Sequence, residues 1–293
     1  MSVIRAAGMP IALIFAQNAA HIMMLFEDLL KFQSVIQSFG LSDTGLKRSA
    51  NQDRILVDDA LGLYLIADGM GGPGHGETAA ELAIRSGQYY ISASRDTFDV
   101  SWPFGYDVDR TMDENRLVTA IQLANRQVWR MTEESPMYAG MGTTVVAVIV
   151  NGHRASVANV GDSRAYLMRK GDLQPITRDD TWVNDLVRTG ALTEEQAKTH
   201  SMQHVLTQAV GAANPVEVHT SERELEDGDL ILLTCDGVHG VVEHAEMRSI
   251  LYSAGSLEDT VRKLIDAALR NGGPDNASCV LLRYRQGGPD PKR

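Results

Sequence analysis

Four aspartates stand where this chain turns out of, or into, a strand-like run, and they constrain its folding more than any other feature. They occur in Asn51-Gln52-Asp53, Asp68-Gly69-Met70-Gly71-Gly72, Cys235-Asp236-Gly237 and Pro274-Asp275-Asn276, far apart along the sequence. Taken singly, an Asp-Gly pair is most often a turn. If folding gathers all four, their carboxylates repel one another and lose hydration at high cost, so a bound cation is the natural compensation. Oxygen donors of this kind select a hard ion such as Mg²⁺ or Mn²⁺.

The elements between these aspartates alternate between two periods. Ile55 to Val57 and Leu63 to Ala67 read as strands joined by the turn Asp58 to Gly62. Thr143 to Val150 is a β-branched run, and Asn151-Gly152 followed by Ala155 to Val160 is a two-residue hairpin signal. A further hairpin turns at Lys170-Gly171-Asp172; Leu230 to Thr234 and Ala277 to Tyr284 supply two more strands. Helical spacing predicts helices over Glu77 to Tyr90, Glu114 to Glu133 and the stretch starting at the Ser256/Asp259 cap and ending before Asn271-Gly272-Gly273-Pro274. Asp96 to Asp113 has no period and reads as a loop; Asp180 to His200 is polar and locally helical.

Composition narrows the class. With 293 residues, 44% hydrophobic and 22% charged, the chain can bury one continuous core. Its net charge of -11 disfavours nonspecific nucleic-acid binding, which needs a basic surface. The two cysteines, Cys235 and Cys279, are too few for a disulfide framework and read as small buried hydrophobes in a reducing, cytoplasmic compartment. The apolar run Met9 to Ala16 is too short to span a bilayer, and a single Arg5 without a clean cleavage pattern argues against a signal peptide. Ile22, Leu25, Leu29, Phe32, Ile36 and Phe39 fall on one stripe of an amphipathic helix. Residues 1–40 are therefore expected to form an extension whose helix packs on the main domain, binds a partner or membrane surface, or belongs to an overextended start of the reading frame. The tail 286–293 is expected to be disordered.

The ordered set of motifs resembles the metal-dependent PPM, or PP2C, family of protein phosphatases, bacterial type, from Leu41 to about Tyr284. Arg48-Ser49-Ala50-Asn51-Gln52-Asp53 is similar to the family's opening motif, and Asp68-Gly69-Met70-Gly71-Gly72 to its central metal motif. Gly142-Thr143-Thr144, Asn159-Val160-Gly161-Asp162-Ser163-Arg164, Asp236-Gly237-Val238 and Asp275-Asn276-Ala277-Ser278 continue the match in order. The resemblance implies an α+β fold, a β-sandwich of two antiparallel sheets flanked by helices, over residues 41–285, with a variable flap near 177–211.

It also implies roles. Asp53, Asp68, Asp236, Asp275 and the Gly69 carbonyl would hold two Mn²⁺ or Mg²⁺ ions, with Asp68 bridging; Asp162 would serve a third, weaker ion. Arg48 would bind the substrate phosphate, which suits its planar charged fork. Two ions sharing a water stabilise hydroxide near neutral pH, so phosphoserine or phosphothreonine on a protein is hydrolysed without a protein nucleophile. The implied partners are a phosphorylated protein substrate and an opposing serine/threonine kinase. The alternative is a phosphoprotein-binding scaffold that kept the fold without turnover. The general acid departs from the family pattern: Pro73 and Met70 occupy the two usual histidine positions, and the only nearby histidine is His75 in Pro73-Gly74-His75-Gly76. We expect His75 to be a solvent-exposed loop residue and not the principal acid.

Overall fold

The computed structural model describes residues 35–72, 74–95, 100–253 and 255–287. Its strands are β1 (Val35–Asp43), β2 (Asp53–Asp58), β3 (Leu63–Met70), β4 (Gly142–Thr143), β5 (Val145–Asn151), β6 (Arg154–Val160), β7 (Arg164–Arg169), β8 (Asp172–Pro175), β9 (His219–Glu224), β10 (Leu230–Thr234) and β11 (Ala277–Arg285). The helices are α1 (His75–Arg95), α2 (Met112–Glu134), α3 (Trp182–Arg188), α4 (Glu194–Lys198), α5 (Asp236–His239), α6 (His244–Tyr252) and α7 (Leu257–Arg270). One sheet runs β1-β11-β10-β7-β8 and the other β2-β3-β5-β6-β9, with β4 paired to β3. All named ladders are antiparallel.

Side-chain alternation along β3 explains the layering. Leu63, Leu65 and Ala67 point one way and join Ala79, Ala83, Leu117, Ile121 and Ala124 of α1 and α2. Tyr64 and Ile66 point the other way, into the core shared with Tyr166, Ile231, Leu233 and Val280 of the opposite sheet. Asp68 continues the Tyr64/Ile66 row, so the period of two carries it to the rim of the sandwich interior. On the outer side of the first sheet, α7 buries Val261, Leu264, Ile265 and Ala268.

Three expectations are corrected. Ile36 and Phe39 belong to β1, not to a helix: nine residues from Val35 to Asp43 pair with β11, from Val35↔Arg285 to Asp43↔Ala277. Both faces of this strand are packed, against α7 and against β2, so apolar residues three apart are partly buried on opposite faces and imitate helical spacing. The first sheet thus begins at Val35, ahead of the boundary expected at 41. The upstream part of the predicted helix lies outside the described residues, as does tail segment 288–293. The β5–β6 turn is Gly152-His153, because Asn151 pairs with Arg154. Gly152 takes φ +60 at the first central position, where a primed hairpin turn needs it.

Candidate metal centre

Strand register brings the first two aspartates face to face. Asp53 opens β2 and Asp68 lies near the end of β3, and the two are direct partners in the antiparallel ladder. Like charges directly opposite on one sheet face are destabilising. The other two arrive from the opposite sheet. β10 and β11 are neighbours, paired through Thr234↔Cys279, so the residues just beyond β10 and just before β11 meet at the same rim. There Gly237 passes so close to the chain that an added Cβ would lie 1.8 Å from the Asn276 carbonyl oxygen and 3.4 Å from Asp275 Cβ. No larger residue fits between Asp236 and Val238 without moving that backbone.

Hydrogen bonds hold the frame and leave the carboxylates underfilled. Asn276, 5% exposed, donates through Nδ2 to the carbonyls of Thr44 and Ala50 and accepts from the Gln52 backbone N–H at 2.8 Å. It therefore clamps the loop before Asp53 to the segment that carries Asp275 into β11. The Asp68 carbonyl accepts from the Thr144 N–H at 2.9 Å and the Thr143 hydroxyl at 2.8 Å. Gly69 abuts the start of α1, where a Cβ would lie 2.1 Å from the Gly76 carbonyl oxygen. Asp53 Oδ2 accepts from the Ser278 hydroxyl at 2.6 Å, but Asp53 Oδ1 and Asp236 Oδ1 are buried with no protein partner.

The electrostatics record the same deficit. Asp68 is raised well above the usual carboxylate range, first by burial and then by Asp53, Asp236, Asp162 and Asp275. Its side chain stays half-buried. Burial pushes Asp53 up to about 6 and Asp162 up to about 7; Asp236 adds to both, and Arg164 partly offsets the second. Asp236 is raised by burial and by Asp275. Two orphaned buried carboxylate oxygens in a set of hard donors fit a divalent cation.

All the sequence-predicted carboxylates, including Asp162, thus share one electrostatic neighbourhood. Arg48 lies at its edge: its guanidinium donates to Asp275 Oδ2 at 2.6 Å, and Asp275, Asp68 and Asp236 all favour its charge. More than half exposed, it keeps other N–H groups open to an incoming anion. His75 corrects the expectation of an exposed loop residue. It is the first residue of α1, partly buried, with its ring edge-on to Tyr138 at 5.5 Å.

Three participants escaped the reading of the sequence. Cys235, read as a plain hydrophobe, places a donor atom within 4.8 Å of donors on Asp53 and Asp68. Its position directly before Asp236 at a strand end was the available signal. Asn276 was quoted only as part of a motif, although an amide beside a buried turn is a natural backbone clamp. His204, in the segment expected to form the flap, exerts a positive field that lowers Asp236; no one-dimensional pattern links these two residues.

The protein phosphatase 2C family model matches residues 47–279. The serine/threonine phosphatase stp of Listeria welshimeri is 34% identical over 244 residues, 82% of this chain and 93% of that protein. The crystal structure of the Mycobacterium tuberculosis serine/threonine phosphatase PstP/Ppp superposes with a TM-score of 0.74 at 32% identity, covering 86% of this chain and 99% of that one. The catalytic domain of PstP in complex with two manganese ions gives a TM-score of 0.73 at 32% identity, with coverage of 86% and 99%. With these likenesses spanning the sandwich and its carboxylate rim, the chain belongs to the protein phosphatase 2C family.

Proposed function

We propose that Asp53, Asp68, Asp236, Asp275 and the Gly69 carbonyl hold the binuclear Mn²⁺ or Mg²⁺ centre of a protein serine/threonine phosphatase, with Asp162 serving a third, weaker ion. Family membership makes this chain a metal-dependent phosphatase of phosphorylated proteins. The observation that carries the site assignment is the Asp53↔Asp68 pair, face to face with Asp53 buried and Asp68 half-buried, Asp236 beside it and two buried carboxylate oxygens left without partners. When bound, the ions supply the charge that activates water and offsets the charge of the phosphoryl group.

The protein's own contribution is placement. Ser278, Thr143, Thr144 and Asn276 fix the carboxylate-bearing backbone before any ion arrives, so little reorganisation remains. Arg48 at the rim orients the substrate phosphate. Residues 177–211 carry α3 and α4, anchored by the Thr181↔Leu206 and Thr143↔Val210 bridges, and we assign them to substrate selection as a flap. An opposing serine/threonine kinase supplies the substrates, and the enzyme works in the cytoplasm. Among the described residues no helix is long and apolar enough to cross a membrane.

The reading that the chain is a catalytically silent scaffold has no support: every expected metal-site carboxylate is present and gathered, and the relatives are named as phosphatases. A panel of phosphoserine and phosphothreonine peptides against small phosphate esters, with and without Mn²⁺, tests the proposal. Mn²⁺-dependent release of phosphate from the peptides is expected. Turnover that ignores Mn²⁺, or that persists in Asp68→Asn, contradicts it.

A further inference from the structure

We propose that Asp180 and His219 form a positioning pair that fixes both ends of the flap to the second sheet, so that a phosphorylated protein meets a preformed surface. The inference rests on the assignment of residues 177–211 to substrate selection. Asp180 lies near the outgoing end of that segment and is 2% exposed. Hydrogen bonds converge on it from separate parts of the chain. Its N–H donates to the Gly161 carbonyl at 2.9 Å, and its Oδ2 accepts from the Gly161 N–H at 2.9 Å. Its carbonyl accepts from the Thr207 N–H at 2.8 Å, which brings the returning end of the flap alongside. Its Oδ1 lies 2.7 Å from Nε2 of His219, the first residue of β9. A carboxylate only accepts, so the imidazole donates.

The sheet beneath is built to receive this grip. His219 pairs with Asn159 in the β6–β9 ladder, and Asn159 Nδ2 donates to the Arg178 carbonyl at 2.7 Å, so ladder partners hold the outgoing chain at two places. His219 Nδ1 stands 4.0 Å from Glu217 Oε1, beyond hydrogen-bond range, whereas Nε2 is within range of Asp180. The flap has little internal means of keeping its shape. Its helices α3 and α4 run seven and five residues and bury Val183 and Ala197 respectively, too short and too thinly packed to persist alone. The Trp182 N–H donates to the Val205 carbonyl at 2.9 Å and the Trp182 ring meets His200 at 5.2 Å, contacts that join the two limbs to each other. Order relative to the sheet has to come from the base, where Asp180 and His219 stand. Without them the flap must be ordered at each encounter, a cost that falls on substrate binding and so on KM before kcat.

The test compares His219→Leu with His219→Gln in the full chain, the second of which keeps an N–H for Asp180. In His219→Leu, amide hydrogen exchange across residues 181–207 is expected to quicken at least about tenfold while β5 and β10 keep their protection. KM for a phosphopeptide is expected to rise about tenfold with kcat held within about threefold. The effect on an aryl phosphate, which has no peptide for the flap to meet, is expected to be smaller. His219→Gln is expected to recover most of both changes. In wild type, which needs no variant to fold, the Asp180 and Thr207 amides are expected to exchange more slowly than those within α3 and α4. The reverse order, unchanged flap exchange in His219→Leu, or a Gln variant no better than Leu overturns the proposal. An equal loss of kcat on both substrates also overturns it, because the pair would then serve the centre and not the flap. Faster flap exchange with an unchanged phosphopeptide KM keeps the anchor and overturns the assignment of the flap to substrate selection beneath it, a distinct result.

Discussion

The β2–β3 hairpin carries acidic residues at both ends, and the two ends treat them in opposite ways. At the turn, Asp58 accepts from the Leu61 N–H and the Gln88 amide, each at 3.0 Å, and Asp59 accepts from Ser38 at 2.5 Å and Tyr64 at 2.8 Å. At the open end, Asp53 and Asp68 are enclosed with other carboxylates for neighbours. Burial alone does not make the difference. Asp229 is as buried as Asp53, yet it is gripped by Arg169 through two guanidinium nitrogens and by the Glu226 N–H. Acids that the protein itself compensates belong to its architecture; acids it leaves uncompensated at a shared rim await a ligand.

Substitution at the two ends is the most severe test of that contrast. Asp68→Asn and Asp236→Asn are each expected to lower phosphopeptide turnover by at least about 10³-fold, because each removes charge that anchors the ions. Without metal, Asp68→Asn is expected to raise the unfolding temperature, since a repelling charge is gone. Asp59→Asn, at the satisfied end, should leave turnover alone and cost roughly 1 kcal/mol of stability or less. Activity within a few fold of wild type in Asp68→Asn would erase the distinction between the ends.

Arg48→Ala probes the edge of the uncompensated cluster. Loss of a charged hydrogen bond to phosphate is expected to cost about 1.5–3 kcal/mol in kcat/KM. An unchanged KM and kcat/KM for phosphopeptide would show that Arg48 serves only Asp275.

The same contrast has a pH signature. Asp53 and Asp162 are raised from 3.8 to about 6 and about 7, so folding of the metal-free protein favours their protonated forms. That stability is complete below a pH of about 4 and is lost as pH rises through about 6 to 7. The metal-free unfolding midpoint is therefore expected to fall across this window, and saturating Mn²⁺ to remove the fall by binding the deprotonated forms. A midpoint that rises over the window without metal would mean that the cluster is compensated after all.

What the chain disclosed beforehand follows the same physics. The β5–β6 and β7–β8 hairpins were readable because Gly152, Lys170 and Gly171 meet local dihedral demands; Lys170 and Gly171 both take positive φ. The four aspartates were readable from their places at strand ends. β1 was misread because its partner lies more than two hundred residues away in β11, and nothing local to Ile36 or Phe39 announces a ladder. Cys235 and His204 were missed for a related reason, as their meaning depends on what folding sets across from them. Periodicity reports one neighbour shell along the chain, whereas the rim is built from four segments across it.

The smallest expected effect belongs to His75, and it asks whether the uncompensated rim needs a protein acid at all. The residue starts α1 and stacks edge-on to Tyr138, so it is held by packing more firmly than a free loop would allow. An imidazole is the side chain most often used for proton transfer near neutrality, so its role is a matter of placement. Yet its ring contact is with Tyr138, not with a carboxylate of the rim. An acid that delivers a proton to the leaving oxygen must come within hydrogen-bond reach of it, directly or through one water. We therefore expect His75→Ala to keep kcat on phosphopeptide within about tenfold of wild type, below the usual range for a lost general acid. An aryl phosphate, whose leaving group departs without a proton, supplies the control. A loss on phosphopeptide of 10²-fold or more (~2.7 kcal/mol), largely rescued on the aryl phosphate, would place His75 in the chemistry and make α1 a functional wall of the rim.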